Sequence, residues 1–237
     1  MVGPQSIRLV PSAVLKERRF AALLAGRDPR IPLVADAIVD AQLLGSLELA
    51  GFAFSWDQVT ASRRGEPAPE PITRLRRARS AVEPQAPLSS AALISWHATA
   101  TGTGTGPRAS ARARLGGPPP SPPEFLRERL VSLGEWLCSD SGRELSAAQQ
   151  GALALARLVE ILPFDDGNGR TSRLAASHLM VRGGVRPPIL VGADRARLEE
   201  CLQAAFRLST EPLVALLEEA SERALDVAIQ ALDRAGS

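Results

Sequence analysis

The sequence predicts a mainly α-helical fold. Leu and Ala dominate a 237-residue chain that is 45% apolar and only 4% aromatic, with no tyrosine. Helix formers far outnumber β-branched residues, which favours helix over sheet. Apolar residues also recur at helical spacing in several separated stretches, and Ser146 followed by Gln149 has the spacing of a capping box.

Taken in order, residues 1–30 are mixed and Arg-rich and read as an N-terminal extension. A helical apolar pattern then runs from Pro32 to near Gly45 and predicts the first core helix. Ser55-Trp-Asp-Gln reads as a short helix start. Between about Ala61 and Pro87 the composition turns to Arg, Pro, Glu and Ala with little periodicity, which predicts a long loop or insertion. A second helix is expected from Ser89 or Ser90 to Ala98. The Gly-, Thr- and Pro-rich stretch that follows suits an exposed hairpin or flap. Phe125, Leu126, Leu130, Leu133, Trp136 and Leu137 then return to helical spacing, ending near Asp140. Ser146 opens a strongly apolar helix through Ile161. A buried helix follows from about Gly169 to Arg182, stopped by Gly183-Gly184, and two more are expected at about 194–208 and 210–232. Residues 31–235 thus read as one domain.

Composition excludes several functions. The formal charge is +2 and the pI about 8.9, and arginines are interspersed with acids, which does not predict nucleic-acid binding. The cluster Arg74, Arg76, Arg77 and Arg79 lacks interleaved aromatics and reads as a solvated loop. Cys138 and Cys201 belong to no ligand cluster, so reduced thiols in a cytoplasmic protein are expected. No signal peptide and no membrane span are read in the chain.

The chemistry concentrates in Leu162-Pro-Phe-Asp-Asp-Gly-Asn-Gly-Arg-Thr-Ser-Arg173, a loop feeding a helix. Gly167 and Gly169 allow close backbone approach to a ligand, and free amides at the helix start form an anion site for which phosphate is the natural occupant. Arg170 lies in the first turn, with Arg173 three residues on along the same face, a spacing that suits a polyphosphate clamp. The Asp166 carboxylate suits a magnesium ion bridging phosphate oxygens. The same residues also fit a plain Asp/Gly turn with a helix cap and surface arginines.

The segment resembles the Fic (Fido) signature HxFx(D/E)GNGRxxR, matched by Phe164, Asp166, Gly167, Asn168, Gly169, Arg170 and Arg173 and broken only at Leu162. Weaker agreement extends over most of residues 30–220. The resemblance implies a Fic-fold helical core with a small β-hairpin flap around Arg108 to Gly116, facing a protein target. It implies ATP or another diphosphate ligand with Mg2+, and transfer of AMP to a hydroxyl of a target protein. By the same resemblance Phe164 packs the loop, Asp166 binds magnesium, Gly167, Asn168 and Gly169 cradle phosphate, and Arg170 and Arg173 contact it. The adenine-side tyrosines common in the family are absent.

In the family the first motif residue is a histidine that deprotonates the attacking hydroxyl, a task that needs a titratable group within reach. Leu162 has none, so the expected protein is a nucleotide-binding pseudoenzyme with AMP transfer lost or altered. Neither His97 nor His178 replaces the base by position. For a still-active transferase the substitute base is Asp165, inside the loop, or the substrate itself, although exposed carboxylates are weak bases at neutral pH. A third reading is a peptide-binding module that uses the flap. Many family members also carry an inhibitory (S/T)xxxE(G/N) segment. Ser46 to Gly51 resembles it, but Ala50 stands at the glutamate position and Glu48 lies on a different helix face, so Arg173 is expected to be free for phosphate.

Overall fold

A computed structural model describes residues 6–23, 31–104, 106–114 and 117–235. The helices are α1 (Ser6–Leu23), α2 (Ile31–Leu49), α3 (Trp56–Arg63), α4 (Glu70–Ser80), α5 (Ser90–Thr101), α6 (Leu126–Cys138), α7 (Asp140–Arg143), α8 (Ala147–Ile161), α9 (Asn168–Arg182), α10 (Arg195–Ala205) and α11 (Glu211–Ala235). Short 3₁₀ turns at Pro123–Phe125 and Gly192–Asp194 lead into α6 and α10. Among the described residues no helix is long and apolar enough to cross a membrane.

The central pair is α8 and α9. The Ser146 hydroxyl accepts from the Gln149 amide and the Gln149 side chain accepts from the Ser146 amide, which satisfies two orphan donors at the start of α8. Helix α9 is buried almost continuously from Arg170 to Met180, as expected of a helix surrounded by others. On one side Leu43, Leu47, Ile72, Leu93, Leu130 and Leu158 join α2, α4, α5 and α6 to the pair. On the other, Leu155, Met180, Leu198, Leu213 and Leu216 join α10 and α11. Each such side chain, removed from water, stabilises the fold by about 1.5–3 kcal/mol. Helix α2 passes close to the strap before α10: a Cβ on Gly45 would stand 1.8 Å from the Leu190 carbonyl oxygen. Only glycine permits that approach.

The loop expected at 61–87 is instead about half helix, since it contains the end of α3 and all of α4. Ile72, Leu75 and Ala78 are buried at three-residue spacing, and Pro71 sits in the first turn, where its missing N–H costs nothing. The arginines that disguised the pattern are partly spent inside: Asp40, fully buried on α2, accepts from Arg63 Nε at 3.0 Å and Arg76 Nη2 at 2.5 Å. This carboxylate ties α2, α3 and α4 together. Within the expected N-terminal extension, residues 6–23 form α1. Helix α1 lies on α11 through Lys16 to Glu222 and Asp226 and Arg19 to Asp233; residues 1–5 and 24–30 lie outside the described residues.

The expected β-hairpin flap does not form strands among the described residues. Arg108, expected on a target-facing flap, is 4% exposed. Its guanidinium donates to the carbonyls of Leu162, Ser110 and Ser121, and its amide donates to Pro163 O at 2.8 Å. One arginine thus satisfies the carbonyls of an irregular loop that a strand ladder would otherwise have engaged. Gly116 lies outside the described residues.

Candidate functional site

Helix α8 ends at Leu162, whose backbone is left-handed (φ 50, ψ 61). Leucine there is strained by about 1–2 kcal/mol. The strain is held from both sides: Leu162 N donates to Leu158 O at 3.1 Å, and Leu162 O accepts from Arg108 Nε at 2.7 Å. The chain then turns sharply into the loop.

Phe164 is 1% exposed and stacks face to face on His97 of α5, with ring centroids 3.7 Å apart at 6°. His97 Nε2–H donates to the Asp166 carbonyl at 2.9 Å. Burial pushes the His97 imidazole below its usual range, and the neighbouring Arg170 charge adds to this. Its Nδ1 has no partner, so the ring is a neutral brace for the loop. The sequence offered no signal for this role, because His97 and Asp166 are 69 residues apart.

Gly167 supplies the left-handed turn (φ 73) at the N-cap of α9, and no side chain caps that helix start. The amides that follow it at Asn168, Gly169 and Arg170 stand at a helix start without a side-chain cap. The Asn168 side chain brackets Phe164 through both backbone groups. Arg170 is 6% exposed. It donates to Asp166 Oδ2 at 2.9 Å and to Ala100 O at 3.4 Å, and its guanidinium lies 5.7 Å from the Phe52 ring centroid. The Asp166 carboxylate is 81% exposed at the mouth of the loop, and Asp165, also exposed, pairs with Arg112 at 2.8 Å.

Arg173 is not free. Its Nε donates to Ser46 Oγ at 3.0 Å and its Nη2 to Ser46 O at 2.7 Å. The segment Ser46 to Gly51, at the end of α2, therefore reaches Arg173 through a hydroxyl and a carbonyl, while Ala50 has no group to offer it. Burial, with the Arg170 and Arg195 charges, pushes the Arg173 guanidinium down to about 9, so it stays charged at neutral pH. Arg170 and Arg173 engage different partners but line one cavity with α2. His178 lies further along α9, where its Nε2–H donates to Ala86 O.

Residues 87–180 match the family model for the Fic/DOC family. Relatives include a protein adenylyltransferase Fic from Drosophila willistoni and protein adenylyltransferase fic-1 from Caenorhabditis briggsae, each 34% identical over 113 residues. The alignments cover 48% of this chain and 23% and 22% of those proteins, so the chain spans about a quarter of the length of the curated relatives it matches. A Fic-domain-containing signalling protein from Bacteroides thetaiotaomicron superposes with a TM-score of 0.79 at 18% identity, covering 94% of this chain and 98% of that one. Fic-1 from Caenorhabditis elegans gives 0.76 at 21%, covering 95% and 72%. These structural likenesses show a shared fold.

Proposed function

We propose, from the match of residues 87–180 to the Fic/DOC family, that the protein binds a nucleotide or another diphosphate-containing ligand at the start of α9, with protein AMP transfer lost or altered. The observation that carries the reading is the uncapped helix start behind Gly167, with Arg170 beside it and an aliphatic Leu162 where the reaction needs a proton acceptor. Three backbone amides and the positive end of α9 favour a phosphate. The curated relatives are named adenylyltransferases, which supports a nucleotide as ligand.

Asp166 is the residue to hold magnesium. A single exposed carboxylate fits an ion that takes one or two protein oxygens and fills its remaining positions with phosphate oxygens and water. When bound, such an ion neutralises phosphate charge. Arg170 Nη2 takes only Oδ2 of Asp166, so Oδ1 would be open to the ion while the pair persists, and the remaining guanidinium N–H groups would be available to phosphate oxygens.

Loss of a general base lowers a rate by ~10²- to 10⁴-fold, which would silence transfer while leaving binding. Calorimetry with magnesium and ATP tests the first half: wild type binds and Arg170→Ala does not, and a wild type that binds no nucleotide overturns the reading. Leu162→His tests the second, with recovered self-labelling from radiolabelled ATP as the expected result. A second reading, transfer with Asp165 as base, draws on its place in the loop. Wild-type transfer that disappears in Asp165→Ala would favour it.

A further inference from the structure

Beneath the loop, where α2, α4 and α9 meet, lies a half-open cavity of about 40 Å³. Its polar lining is Gln42, Ser46, Arg79, Arg170, Arg173 and Ser177. A water needs roughly 10–15 Å³ of such space, so the cavity takes about three water-sized bodies.

Its charge is one-sided. Arg170 is balanced by Asp166. Arg173 bonds only to the neutral hydroxyl and carbonyl of Ser46, and the charges that act on it, Arg170 and Arg195, are both positive. Arg79 is half-buried, and its buried Nε–H has no acceptor. The other orphan on this cavity is an acceptor: Gln42 Oε1 has no donor, because Gln42 Nε2 is committed to Ser177 Oγ at 3.0 Å and Pro188 O at 3.1 Å. Buried guanidinium groups without a counter-charge are costly, and arginine does not shed its proton at neutral pH.

We propose that this cavity is a binding site for a small monovalent inorganic anion of halide size, seated between Arg79 and Arg173, with one water beside it. The anion accepts the Arg79 Nε–H and supplies the counter-charge that Arg173 lacks. The water donates one proton to the anion and the other to Gln42 Oε1, so the cavity's orphaned polar atoms are all satisfied. The site shares Arg173 with the phosphate reading, but Arg79 and Gln42 lie outside the phosphate loop, so the anion is read through Arg79 and without nucleotide.

Crystals of the whole chain grown in sodium bromide test the assignment directly. An anomalous bromide peak between Arg79 and Arg173 is expected, and a map with water alone at that place overturns the proposal. In solution, melting in sodium chloride is compared with sodium gluconate at equal ionic strength. A site half-filled in the tens of millimolar raises Tm by about 2–4 °C in 0.1 M chloride, and Arg79→Leu abolishes that difference. Equal melting of wild type in the two salts, or a chloride response that survives Arg79→Leu unchanged, also overturns it. Should Arg79→Leu fail to fold, the bromide map on wild type still decides.

Discussion

Asn168 holds both backbone groups of Phe164: its Oδ1 accepts from the Phe164 amide at 2.9 Å and its Nδ2 donates to the Phe164 carbonyl at 2.8 Å. This pair closes the loop into a ring of five residues and fixes where the α9 amides stand. Asn168→Ala leaves a buried amide and carbonyl without partners, each worth about 1–3 kcal/mol. The expected outcome is a destabilisation of about 2–4 kcal/mol in urea melts, with nucleotide affinity falling alongside. Asn168→Asp keeps the acceptor and loses the donor, so it should lie between the two. If Asn168→Ala melts like wild type, the bracket contributes nothing.

Gly167 is needed twice over. Its φ of 73 disfavours any side chain, and an added Cβ would stand 2.3 Å from Thr101 Cγ2 on α5. Gly167→Ala is therefore expected to cost about 2–4 kcal/mol, combining left-handed strain with overpacking. Thr101→Ser removes the methyl that is struck. In the double variant the steric part should return while the backbone part stays, so a thermodynamic cycle on denaturant melts would show coupling between the two sites. Strict additivity would mean that the methyl is not what the Cβ meets.

What the sequence made legible was local. The Ser146–Gln149 cap, the apolar run to Ile161, the glycine turn and the α9 that follows are set by residues within a few positions of one another. The arrangement of Arg173 was not legible, because its partner Ser46 is 127 residues away, and the pattern suggested instead a guanidinium left free by Ala50. Helix α4 was hidden for a different reason: four arginines and two nearby prolines masked the spacing of Ile72, Leu75 and Ala78, and part of that charge is absorbed by Asp40 on α2. The flap shows the same limit. Gly and Thr alternation fits a hairpin locally, but Arg108 spends its guanidinium donors on the carbonyls of Ser110, Ser121 and Leu162, the last 54 residues away.

Asp40 gives a further test. A carboxylate with no exposed surface between Arg63 and Arg76 balances two guanidinium groups where α2, α3 and α4 meet. Asp40→Asn keeps the shape and removes the charge, and the expected loss is about 3–5 kcal/mol, the cost of breaking a buried pair from one side. Removing one arginine as well should soften the penalty: Asp40→Asn with Arg76→Met is expected to be more stable than Asp40→Asn alone. Chemical denaturation of the three variants checks the order.

Stability should also fall towards mildly acid pH, through the two histidines. In the folded chain His97 and His178 are both held below the usual imidazole range, mainly by burial. Each uses Nε2–H on a carbonyl and leaves Nδ1 without a donor, so a second proton has nowhere to bond. Unfolded, each titrates near the free value of about 6.5. Above about pH 7.5 both states carry neutral rings and the stabilisation is complete. As pH falls through 6.5 the unfolded state takes up protons first, and stability is lost until the folded values are reached, at up to about 1.4 kcal/mol per pH unit for each ring. Most carboxylates titrate lower, so urea melts between pH 7.5 and 5.5 isolate the effect. His97→Asn removes one titrating ring and should flatten the profile. A wild type whose stability is level or rising over that interval would contradict the neutral, loop-bracing role given to His97.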